Sequence, residues 1–173
     1  NNRNRLLWQD DAVDGVKTGH TEAAGYCLVA SAKRDDMRLT SVVMGSKSEK
    51  ARAQASLALL NYGFRFYESP KLYAGGKPIE HLRVWMGEIE EVPVGSVYDL
   101  HVTIPRGRYD KLSARIEKNP DMSAPVAKGD SVGQIVLDLE GKEVGRLPLI
   151  ALQDVAEGGW WQWLRDWVLR WFQ

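Results

Sequence analysis

Lys17, Thr18, Gly19 and His20 follow one another directly, and this short segment gathers groups suited to holding an acyl substrate. Lys17 offers a cation and Thr18 a hydroxyl at neighbouring positions. Gly19 omits the side chain at the point where a substrate backbone has to approach. On a strand edge, such a segment can take an acyl chain as one more strand, with backbone N–H and C=O groups fixing its register. The plainer alternative is an ordinary solvated edge strand, where Lys is common. His20 has no partner at metal-ligand spacing, because His81 and His101 lie far along the chain. No metal and no cofactor is expected. The single Cys27 falls in an apolar run and is expected as a small buried residue, not a nucleophile.

Strands must carry this segment. Gly25 to Ala32 is almost continuously apolar, which predicts a strand covered on both faces, and Leu39 to Met44 predicts another. The charged stretch Lys33 to Arg38 predicts the turn between them. Ser46 followed three residues later by Glu49 reads as a capping box that opens a helix. That helix runs through Ala51, Ala53, Ala55, Leu57, Leu59 and Leu60, with Gly63 as the stop at its C′ position. Arg52 lies near its start, where spacing alone suits a surface residue. After Phe66 the texture changes to short runs: Leu82 to Trp85, Val97 to Ile104, Leu112 to Ile116, Ser131 to Leu139 and Val144 to Ile150. Tyr98, Leu100, Val102 and Ile104 alternate with polar residues, as on a strand with one buried face. Gly75-Gly76, Pro93, Gly95, Pro105 to Gly107, Lys128-Gly129-Asp130 and Glu140-Gly141-Lys142 supply turns. This half predicts a small antiparallel β-domain, a sandwich, with no catalytic constellation of its own.

The flanks of the Lys-Thr-Gly segment extend the pattern. Asn2-Arg3-Asn4 and Leu6-Leu7-Trp8 precede it, Asp14-Gly15 stands just ahead of Val16-Lys17, and Ala23-Ala24-Gly25-Tyr26 follows. Val42-Val43-Met44-Gly45-Ser46 comes at the next strand. Lys-Thr-Gly is one of three motifs of penicillin-recognising serine enzymes, the others being Ser-x-x-Lys and a Ser-x-Asn or Ser-Asp-Asn loop. Taken together the chain resembles, along nearly its whole length, the type 5 low-molecular-mass penicillin-binding proteins, the D-alanyl-D-alanine carboxypeptidases of bacterial cell walls. The wider superfamily often has Thr or Ser in place of His20, so His20 narrows the resemblance to type 5.

That resemblance implies an α+β chain. Residues 1–66 would close a transpeptidase/β-lactamase-like α/β domain, 67–156 would form an antiparallel β-sandwich pedestal, and 157–173 an amphipathic anchor helix. It implies that Lys17 binds substrate and tunes proton transfer, and that Thr18 hydrogen-bonds the terminal carboxylate. The His20 N–H would supply half of an oxyanion hole, and Arg52 would point toward the carboxylate. The nucleophilic serine and its lysine base are expected upstream, since only sixteen residues precede Lys17; these residues alone are expected to turn nothing over. The implied partners are a peptidoglycan stem peptide ending in D-Ala-D-Ala and β-lactam antibiotics. A β-lactamase shares the motif chemistry but needs neither the second domain nor the tail.

Five of the seven tryptophans lie at the end: Trp160, Trp161, Trp163, Trp167 and Trp171. At ~100° per residue they share one half of a helix with Leu164, Val168 and Phe172, while Gln162, Arg165, Asp166, Arg170 and Gln173 take the other, with Leu169 among them. Fourteen residues reach only ~21 Å, too short to span a bilayer, but a Trp-rich amphipathic helix suits the headgroup region. By resemblance the location is the periplasmic face of the inner membrane. The alternative is a helix packed on protein. The chain carries 23 basic and 23 acidic residues, which argues against a nucleic-acid partner. A reading from another class is a non-catalytic membrane-associated β-module that recruits cell-wall proteins, which leaves Lys17-Thr18-Gly19 unexplained.

Overall fold

The computed structural model describes residues 2–119, 122–161, 164 and 165. The chain divides into two compact units: Asn1–Pro70 with Thr103–Gly107, and Lys71–Val102 with Arg108–Gln173.

In the first unit, β1 (Val13–Thr21), β2 (Gly25–Arg34) and β3 (Met37–Ser46) form an antiparallel sheet in that order. The helix α1 (Glu49–Phe66) lies on it and buries Ala53, Leu60 and Phe64 with Leu28, Ala30 and Ala32 of β2. Small alanines in β2 let the helix sit close to the sheet, and the buried hydroxyls of Ser41 on β3 and Ser56 on α1 satisfy each other. A 3₁₀ turn, Arg5–Trp8, is tied to β1 through Asn4. The fully buried Asn4 amide donates to the Gly15 carbonyl at 2.9 Å, and its oxygen accepts from the Leu6 N–H at 3.1 Å.

The helix begins later than the capping-box reading expects. Ser48, not Ser46, is the N-cap, and its hydroxyl accepts from the Ala51 N–H at 3.1 Å. Ser46 is instead the last residue of β3, opposite Tyr26, so its backbone belongs to the sheet. Gly63 does not end the helix either. It sits inside α1, where a Cβ would lie 2.4 Å from Leu39 Cδ1; the glycine makes room for β3, and the chain leaves the helix at extended Tyr67. There β4 (Tyr67–Glu68) pairs with β9 (Ile104–Pro105).

The second unit joins β5 (Lys71–Tyr73) to β8 (Leu100–His101) in a two-stranded ribbon. It also builds a five-stranded antiparallel sheet from β6 (Pro78–Arg83), β7 (Glu91–Gly95), β10 (Leu112–Lys118), β11 (Ser131–Leu139) and β12 (Lys142–Ala151). The order is β10-β11-β12-β7-β6, so the β layers are a full sheet and a short ribbon. Leu82, Val92, Val94, Ile135, Leu137 and Leu149 are buried there.

Two expectations fail in this unit. Pro93 and Gly95 are not turn residues but lie inside β7: the Pro93 carbonyl accepts from the Leu152 N–H at 2.9 Å, and a Cβ on Gly95 would meet Lys77 O at 2.6 Å. The glycine marks close backbone approach. Val97 to Ile104 is not one strand. Leu100, Val102 and Ile104 are buried as the alternation requires, but Tyr98 is 78% exposed, and the run breaks because β8 pairs with β5 while β9 pairs with β4.

Candidate active site

The hairpin of β1 and β2 sets the geometry. Thr18 faces Leu28, Gly19 faces Cys27 and His20 faces Tyr26 in the register, and the Thr21 hydroxyl accepts from the Ala24 N–H at 3.0 Å to close the turn. Farther up β1, the Arg38 guanidinium of β3 and the Ser31 hydroxyl hold the Asp14 carboxyl below its ordinary value. Arg38 donates to Asp14 at 2.8 Å and to Ser31 at 2.5 Å, stapling the three strands together. Lys17 is exposed, and its ammonium donates to the Thr18 carbonyl at 3.1 Å.

Arg52 reaches this strand from α1. It is only 3% exposed, so the surface-residue alternative does not hold. The guanidinium donates to the Gly19 carbonyl at 3.2 Å, approaches the Glu49 carboxylate at 3.5 Å, and lies 5.5 Å from the centre of the Tyr26 ring. The rings of His20 and Tyr26 are 4.0 Å apart at 36°.

Lys17, Thr18, Gly19, His20 and Arg52 thus line one hollow of about 340 Å³, shared with Arg3, Tyr26 and Glu49. Arg3, Lys17 and Arg52 against Glu49 leave it positive, and it suits a carboxylate. Sequence reasoning did not single out the three added residues as site residues. Arg3 and Tyr26 stood in the flanks of the motif and Glu49 one helical turn before Arg52, and only the hairpin register sets Tyr26 against His20. Among the described residues no serine lines this hollow, and no group of His, Cys, Asp and Glu is placed to hold a metal. Cys27 departs from its expected burial: it is half-buried, with its thiol near the Ala24 carbonyl at 3.5 Å, because β2 is thinly covered at that end.

A larger hollow of about 570 Å³ lies at the other end of α1, against Asn61, Phe64 and Arg65. Two of its three arginines are bonded to protein groups, Arg34 to Asp10 and Asn61 and Arg106 to the Phe64 and Tyr67 carbonyls, while Arg65 lies 5.5 Å from the centre of the Phe66 ring. The smaller hollow has the chemistry.

Of the tail residues, Trp160, Trp161 and Leu164 are described, helical and exposed; Trp163, Trp167, Val168, Trp171 and Phe172 lie outside the described residues. Among the described residues no helix is long and apolar enough to cross a membrane.

Residues 67–157 match the family model of the penicillin-binding protein 5 C-terminal domain, and residues 1–48 match that of the D-alanyl-D-alanine carboxypeptidases. The chain is 44% identical over 177 residues to D-alanyl-D-alanine carboxypeptidase DacC of Escherichia coli (strain K12), covering 99% of this chain and 44% of that one. It is 42% identical over 169 residues to DacA of the same organism, covering 96% and 42%. The solved structure of penicillin binding protein 5 from Haemophilus influenzae superimposes with a TM-score of 0.81 at 43% identity, over 90% of this chain and 46% of that one. The chain therefore spans a little under half the length of the relatives it matches. Both halves point the same way, and the chain belongs to the penicillin-binding protein 5 family of D-alanyl-D-alanine carboxypeptidases.

Proposed function

We propose that these residues form one wall of the active site of a serine-type D-alanyl-D-alanine carboxypeptidase. In this reading a serine outside these 173 residues attacks the carbonyl of the penultimate D-alanine of a peptidoglycan stem peptide. The bond to the terminal D-alanine breaks, the amine leaves with a proton, and water hydrolyses the acyl-serine. β-Lactams acylate the same serine. The observation that carries the reading is the buried Arg52 bonded to the Gly19 backbone beside Lys17 and Thr18, in a hollow along β1 whose charged lining is mostly positive.

Each residue then has a role. Thr18 donates its hydroxyl to the terminal carboxylate, and Arg52 lends it positive charge. Lys17 binds substrate and steadies proton transfer at the serine. The His20 N–H supplies half of an oxyanion hole, a donor of a kind worth about 3 kcal/mol of barrier.

Residues 1–66 are the closing part of the α/β catalytic domain, 67–156 a sandwich pedestal of which 67–70 and 103–107 pack with the first unit, and 157–173 an amphipathic anchor. The exposed Trp160 and Trp161 support placing the anchor at a lipid headgroup layer, and the family resemblance alone points to the periplasmic face of the inner membrane.

The test uses the full-length protein, a fluorescent penicillin and a denaturing gel. A covalent band is expected, and Lys17→Ala weakens it. No band at saturating penicillin overturns the enzyme and leaves the membrane-associated β-module.

A further inference from the structure

We propose that Tyr26 is a positioning residue of this site: its ring is the plate that holds His20 and Arg52 in place, and through Arg52 it sets a preference for substrates ending in a free carboxylate. The proposal rests on the carboxypeptidase reading above and deepens it.

The hairpin puts His20 and Tyr26 directly opposite each other, so both side chains leave the same face of the sheet. Their rings touch at 4.0 Å. The guanidinium of Arg52, arriving from α1, lies 5.5 Å from the same ring, within reach of its negative face. One aromatic side chain thus touches a residue of the strand and a residue of the helix.

Arg52 needs such a neighbour because it has a competing arrangement. Glu49 is one turn away at 3.5 Å, and a tighter pair between the two would quench the positive charge offered to a ligand. Three contacts oppose that collapse. The Gly19 carbonyl accepts from one guanidinium nitrogen, Arg5 draws on the Glu49 carboxylate at 3.3 Å, and the Tyr26 ring sits beside the guanidinium. With Gly19 and Glu49 each taking one nitrogen, Arg52 keeps N–H donors for a planar carboxylate in the hollow it lines.

The experiment compares, in the full-length protein, hydrolysis of an acyl-D-alanyl-D-alanine with that of its C-terminal amide, alongside penicillin labelling. Tyr26→Leu is expected to lower the acid-over-amide ratio of kcat/KM about tenfold, whereas Tyr26→Phe keeps it near the wild-type value. A purely structural loss lowers both substrates equally and leaves the ratio unchanged, which overturns the proposal. An unchanged ratio in a well-folded Tyr26→Leu does the same, as does a wild-type protein that labels with penicillin but does not distinguish acid from amide. A wild-type protein that does not label overturns the carboxypeptidase reading itself. A second measurement needs no variant: titrating D-alanyl-D-alanine into the wild-type protein is expected to shift the ring proton signals of Tyr26 and His20 together by NMR. Ring signals that stay fixed while the dipeptide binds overturn the proposal.

Discussion

Arg52 illustrates how one side chain joins fold to function. It is a buried cation whose nearest groups are a backbone carbonyl, a carboxylate and an aromatic face, and each asks for a different side of a flat, forked guanidinium. A lysine keeps the charge but not the fork. Arg52→Lys is therefore expected to lose either the bond to the Gly19 carbonyl or the contact with Glu49, which keeps Arg5 as a second partner. The expected cost is about 1–3 kcal/mol in urea unfolding, together with slower penicillin labelling of the full-length protein. Stability and labelling equal to wild type would show that charge alone matters at this position. Lys17 to His20 were legible as a candidate site through the flanks that carry the family resemblance, since Lys and Thr by themselves suit an ordinary edge strand. Tyr26 was not, since nothing in an apolar strand announces that a turn of three residues between Thr21 and Gly25 sets it against His20. Arg52 was placed by resemblance, and its burial could only come from seeing the helix lie on the sheet.

Elements were legible wherever periodicity and packing agreed, and less so where a residue type has two uses. Serine is the clearest case. Ser46 and Ser48 are both good caps by chemistry, but Ser46 is held in the β3 ladder and only Ser48 is free to turn its hydroxyl onto the Ala51 N–H. Ser48→Ala is expected to destabilise the first unit by about 1 kcal/mol, whereas Ser46→Ala changes stability by less than about 0.5 kcal/mol. Thermal unfolding of the two variants checks this, and the reverse order would place the helix start two residues earlier. Glycine has the same ambiguity. Gly63 and Gly95 are there because a neighbour comes close, Leu39 in one case and the Lys77 backbone in the other, and a sequence shows the glycine without the neighbour. The Val97 to Ile104 run failed for a related reason. Its alternating burial is real from Leu100 onward, but its two halves pair with strands that alternation cannot identify.

At the scale of the whole molecule, charge and apolar surface make opposite statements about membranes. Equal numbers of basic and acidic residues leave no net attraction to an anionic lipid surface, so any affinity has to come from apolar side chains. The five tryptophans of residues 160–173 are the densest such reserve, and the two of them that are described, Trp160 and Trp161, are 65% and 67% exposed with their rings 3.9 Å apart. An indole buries about 150–250 Å² when it leaves water, and its N–H still finds partners among headgroups. The proposed anchor helix over residues 160–173 would reach ~21 Å against a hydrocarbon thickness of ~30 Å, a length that suits the plane of the interface. Deleting residues 160–173 is therefore expected to abolish co-sedimentation of the chain with liposomes. Raising the salt concentration is expected to leave the intact chain's binding largely unchanged, because screening acts on charge and not on buried apolar area. Binding that survives the deletion would move the membrane contact elsewhere in the chain. Binding lost in salt would make it electrostatic.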